Sequence, residues 1–145
     1  MHPAIASLRR IRGALIEGMM PAAEDCARLV GAIDRYLQDA PAGLTMDRAL
    51  DLSPGRGQSP WWREEDRQEQ HALVRALVSD HFAEASLVDV LAAAARYEGG
   101  AWIRHRRSTN PPTGIPAVQL ALWSILRLGP FPGERHLRRL LTDRT

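Results

Sequence analysis

The sequence predicts an all-α fold, a compact bundle of about six or seven helices ending in a helix-turn-helix-like hairpin. Three observations point there. Apolar residues recur at three- and four-residue spacing along most of the 145 residues, the period of one helix face. Ser, Thr, Pro and Gly punctuate those runs where helices start and stop. No runs of alternating β-branched and polar residues stand out as a strand pair. At this length one domain is expected, 1–145, with residues 116–145 as a basic helical hairpin subdomain.

The elements follow in chain order. Ile5, Leu8, Ile11, Leu15 and Met19 repeat on one face of a first helix that Gly18 and Pro21 bring to an end. This stretch lacks the long apolar core of a signal peptide and reads as the opening helix of the fold. The second helix, "PAAEDCARLVGAIDRYLQDA", sets Cys26, Leu29, Val30, Ile33, Tyr36 and Leu37 on one stripe. Glu24 and Asp25 in its first turns suit the positive end of the helix dipole. Cys26 is the single cysteine, read as a small buried thiol. A chain with one cysteine has no internal disulfide and no cysteine-based zinc cluster.

Thr45 is placed to cap a short helix through Leu50. The loop "SPGRGQSP" lacks the Lys-Ser/Thr ending and flanking strand of a phosphate loop, so it reads as a surface connector that exposes Arg56. Ser59 and Pro60 then start a helix whose later half buries Leu73, Leu77 and Val78. Its adjacent tryptophans, Trp61 and Trp62, cannot share the centre of one helix face. One packs inward and the other is left for an edge or a protein-interaction surface. Ser86 caps the next helix with Asp89 at the third position, where a capping box has Glu or Gln. That helix is expected to bury Leu87, Leu91, Ala94 and Ala95 and to run towards Arg107, with Gly99-Gly100 as its point of kinking or splitting. After "STNPPTGIP", Pro116 opens a helix that buries Val118, Leu122, Ile125 and Leu126. The last helix runs from about Glu134 to Leu141 and returns Leu137, Leu140 and Leu141 to the core.

Charge is divided unevenly. All 19 basic residues are Arg. From Arg96 onward nine Arg face three acids (Glu98, Glu134 and Asp143), a net charge of +6, whereas the preceding residues carry −4. A basic C-terminal third on an acidic body suits an anionic partner, nucleic acid first.

The segment "ALWSILRLGPFPGERHLRRLL" resembles a helix-turn-helix in general outline, and its style is similar to segments of prophage and mobile-element proteins of bacteria. The resemblance covers about a seventh of the chain, and "GPFPGE" is longer than the usual turn of three or four residues. It implies double-stranded DNA as partner, with His136, Arg138 and Arg139 projecting into a major groove. Arg138 or Arg139 would specify a base, while Arg127 and Arg135 contact phosphate. Arg104, Arg106 and Arg107 form a second basic cluster. The competing class is an adaptor, inhibitor or assembly protein whose Trp61/Trp62 region engages another protein or a second copy of the chain.

Enzymatic chemistry finds no purchase. The five histidines form no His-x-x-x-His pair or zinc spacing, and Asp80, His81 and Glu84 supply too few ligands for a metal. Glu64, Glu65, Asp66 and Glu69 read as solvated first-turn residues. No catalytic residue, metal or cofactor is therefore assigned. No apolar stretch approaches the ~20 residues of a membrane span, so no membrane partner is expected, and the missing signals point to the cytoplasm.

Overall fold

The computed structural model describes residues 2–142; Met1, Arg144, Thr145 and Asp143, one of the three acids of the basic third, lie outside the described residues. The described chain is all-α, with eight α-helices and no strand. They are α1 (Pro3–Ile16), α2 (Ala23–Asp39), α3 (Met46–Ala49), α4 (Trp61–His81), α5 (Leu87–Glu98), α6 (Trp102–His105), α7 (Ala117–Leu128) and α8 (Glu134–Thr142). A 3₁₀ turn, Ala40–Ala42, follows α2. Two compact units divide the chain, Met1–Glu65 and Asp66–Thr145, and the division falls inside α4.

In the first unit, α1 packs on α2 and α2 packs on α3. Pro3 at the start of α1 fits a position whose amide has no helical partner. Ile5 and Ile11 are buried, but α1 stops at Ile16, and Leu15 and Met19 stand exposed. The stripe of α2 departs further from expectation. Its covered side holds Asp25 and Ala32, whereas Val30, Ile33 and Leu37 face solvent. The cause is a polar tether. Ser7 Oγ donates to Asp25 Oδ1 at 2.6 Å, and Arg10 grips the same carboxylate at 2.6 and 2.8 Å. These bonds turn the Asp25 side of α2 towards α1 and leave much of its apolar arc uncovered. Cys26 is only half-buried, with Sγ 3.8 Å from Pro21 O.

Thr45 caps α3, its Oγ1 accepting from Arg48 N at 3.3 Å. Arg9 forms a two-bond fork with Glu65, at 3.2 and 2.6 Å. Trp61 and Trp62 meet edge to face, with ring centroids 5.8 Å apart. Trp61 is half-buried and Trp62 is 50% exposed, as their adjacency requires.

The second unit has an apolar centre drawn from four helices. Val74 and Leu77 of α4, Val90, Ala94 and Tyr97 of α5, and Leu122, Trp123, Ile125 and Leu126 of α7 meet Leu137 and Leu140 of α8. Leu73, Val78, Leu87, Leu91, Val118 and Leu141 are partly buried around it, while Ala95 is exposed. Ser86 and Asp89 complete the cap of α5: Asp89 N donates to Ser86 Oγ at 3.3 Å and Ser86 N to Asp89 Oδ2 at 3.0 Å. The helix expected to run towards Arg107 splits at Gly99-Gly100, the point where kinking or splitting was expected. α5 ends at Glu98, the Gly99-Gly100 turn follows, and α6 is a single separate turn. Each glycine weakens helix by about 1 kcal/mol relative to Ala. α4 stops at His81, so Glu84 lies beyond its end.

Candidate nucleic-acid interface

α8 is placed by its own periodicity. Leu137 and Leu140 point inward and are at most 4% exposed. Arg135 and Arg139, four residues apart, share the face directly opposite them. Both are exposed, and neither has an acidic partner among the described residues. The two flanks of the helix are different. Arg138 bonds Glu134 at 2.8 Å across one helical turn, an exposed pair worth little in water. On the other flank, His136 Nε2 lies 3.2 Å from His71 Nε2 of α4.

An open groove of about 520 Å³ runs along the first turns of α8, lined by Gly133, Glu134, Arg135, His136 and Arg139. The surrounding charge is cationic. Burial first, and then His136, Arg75, Arg67 and Arg139, hold His71 below the ordinary histidine range. An imidazole in this setting loses its proton readily because burial and the neighbouring positive charges disfavour its charged form.

Other helices hold α8 and its approach in place. Arg75 Nε donates to Leu140 O at 3.1 Å, satisfying a carbonyl near the end of α8. Gln70 Nε2 reaches Ile125 O, Gly129 O and Pro130 O at 3.3, 2.9 and 3.0 Å. One buried side chain thus fixes the end of α7 and the long connection into α8.

The remaining basic residues fall into two groups. Arg127 is committed to the fold: its guanidinium lies 4.8 Å over the Trp123 ring and donates to Thr109 O at 2.9 Å. Arg104, Arg106 and Arg107 are exposed on and just after α6. That turn is anchored by His105, whose Nδ1 lies 2.9 Å from Tyr97 Oη and whose carbonyl accepts from Trp123 Nε1 at 3.3 Å.

Sequence reasoning found the α8 cations but missed His71, Gln70 and Arg75. His71 lies 65 positions from His136, and no local spacing signals such a pair. Arg67, His71 and Arg75 do recur every four residues on one helix face, and that recurrence was the available clue.

Among the described residues, no three His, Cys, Asp or Glu side chains converge as a metal site. No helix among them is long and apolar enough to cross a membrane. Comparison with protein-family models, curated proteins and solved structures finds no match to this chain.

Proposed function

We propose that this small all-α protein is a non-enzymatic nucleic-acid-binding protein that holds duplex DNA by its phosphate backbone, in a regulatory role. The observation that carries this reading is the outward face of α8. Arg135 and Arg139 stand there together, exposed and without an acidic partner among the described residues, while Glu134 beside them is engaged by Arg138. A guanidinium pair of this kind matches successive phosphate oxygens, and forked bonds from Arg fix orientation as well as charge. Arg138 stays on Glu134 and keeps that carboxylate occupied, and Arg104, Arg106 and Arg107 add a second point of backbone contact. Arg127 is left out because Trp123 and Thr109 already occupy it.

A mobility-shift titration against duplex DNA tests the reading. The intact protein is expected to shift the duplex, and Arg135→Glu/Arg139→Glu is expected to abolish the shift with its circular-dichroism spectrum unchanged. Equal shifts by both proteins would remove α8 from the interface.

A second reading, self-association through the first unit, is favoured by Val30 and Leu37 of α2, which are 54% and 69% exposed. Half-exposed Trp62 in the same unit adds a side chain common at binding hot spots. Sedimentation velocity over a range of protein concentrations decides it. A concentration-dependent rise abolished by Val30→Glu/Leu37→Glu supports the reading, and a constant monomer excludes it.

A further inference from the structure

We infer that the groove along α8 seats a single phosphate group between Arg135, His136 and Arg139, and that the His71–His136 pair takes up a proton as the phosphate binds. This deepens the duplex-binding reading and rests on it for the source of the anion, a backbone phosphodiester.

Three features of the site support it. First, Arg135, His136 and Arg139 line one open groove of about 520 Å³, so their side chains border a common space large enough for a phosphate and its sugar. Second, Glu134 is the one carboxylate lining the groove among the described residues, and Arg138 already engages it at 2.8 Å. Third, the bond between the two Nε2 atoms at 3.2 Å requires one ring to donate and the other to accept. The pair therefore accommodates one additional proton with its bond intact, on the outer nitrogen of the donor ring.

What opposes that proton is the burial of His71 first, and then the cations around the pair. α4 brings Arg67 and Arg75 towards His71, and α8 brings Arg139, all of them cationic. α5, which packs on α8, places Val90 and Ala94 in the shared core, and its Asp89 is bound at its own cap. A phosphate in the groove supplies the missing negative charge. Binding and protonation then favour each other by linkage. Affinity is expected to rise as pH falls through the histidine range, by up to tenfold per pH unit for one coupled proton.

The test follows the histidine Cε1–H resonances of the intact protein by NMR, with His71→Gln and His136→Gln supplying the assignments. Inorganic phosphate and a short DNA duplex are titrated separately at pH 6 and pH 8 in a zwitterionic buffer, with sodium chloride at matched ionic strength as control. Phosphate is expected to shift both resonances and to lose at least tenfold in affinity in Arg139→Gln, whose exposed side chain leaves the fold intact, while the duplex, whose phosphodiesters do not titrate in this window, is expected to bind at least tenfold more tightly at pH 6. A response to the duplex but not to free phosphate also supports the site and assigns it to the phosphodiester backbone. A response to phosphate without any duplex binding keeps the groove as an anion site and sinks the DNA reading. Duplex binding that leaves both resonances unmoved, or shifts that sodium chloride reproduces, overturns the inference while leaving the DNA reading standing. If neither ligand binds, both fall.

Discussion

Asp25 is 1% exposed, yet it remains a carboxylate because Arg10 and then Ser7 donate to it. These bonds hold its pKa at about 2 against an ordinary 3.8. An acid whose folded pKa is depressed stabilises the fold above its unfolded pKa and loses that contribution as pH falls towards the folded value. Thermal unfolding of the native protein is therefore expected to weaken between about pH 4 and pH 2. Asp25→Asn is expected to be less stable at neutral pH and to show a flatter profile in that window; parallel profiles for the two proteins would place the acid sensitivity elsewhere. Gln70 is a second polar residue with a structural task, since its one amide nitrogen serves three carbonyls at the end of α7. Gln70→Leu strands those carbonyls and is expected to cost about 1–3 kcal/mol in urea unfolding. Neither role was legible beforehand. Asp25 read as a first-turn acid favoured by the helix dipole, and Gln70 lies 55 residues from the nearest residue it binds. Local pattern does not encode a tertiary hydrogen bond.

At the scale of the helix, the sequence was most readable where one apolar stripe meets one core. α8 was expected from Glu134 to Leu141 and ends at Thr142, with Leu137 and Leu140 buried. Thr45 and Ser86 cap their helices as their side chains suggest. α2 was the least readable, because periodicity identifies an apolar face without naming what covers it. There Ser7, Arg10 and Asp25 turn the helix so that Val30 and Leu37 stay in water. α5 was misjudged for a different reason. Alanines tolerate either side of a helix, and Tyr97, not Ala95, takes the inward position. These placements order the effect of substitutions. Leu137→Ala is expected to cost about 2–5 kcal/mol, as for deletion of a fully buried leucine. Leu37→Gln and Arg135→Ala should stay within about 0.5 kcal/mol, since neither removes a buried contact. Chemical unfolding of the three variants checks the order, and a Leu37→Gln loss as large as that of Leu137→Ala would mean that α2 is covered.

Across the whole molecule, the clearest functional signal in the sequence is the division of charge, +6 from Arg96 onward against −4 before it. The structure refines that signal residue by residue. Arg127 lies over the Trp123 ring, Arg138 pairs with Glu134, and Arg135 and Arg139 remain outward beside the groove. Composition counts all of these cations alike, so it cannot separate those bound within the fold from those left open to solvent. The Gly99-Gly100 break likewise detaches Arg104, Arg106 and Arg107 from the helix expected to carry them and sets them on and after a turn anchored by His105. Each cation that replaces a counterion on duplex DNA adds about −0.9 to the slope of log affinity against log salt. The most direct measurement is that slope, read by fluorescence anisotropy of a labelled duplex from low to moderate salt. Contacts from Arg135, Arg139, Arg104, Arg106 and Arg107 predict a slope of about −4.5, with Arg135→Ala/Arg139→Ala reducing its magnitude by about 2. A flat slope for the intact protein, or one that the double substitution leaves unchanged, would contradict phosphate binding by α8.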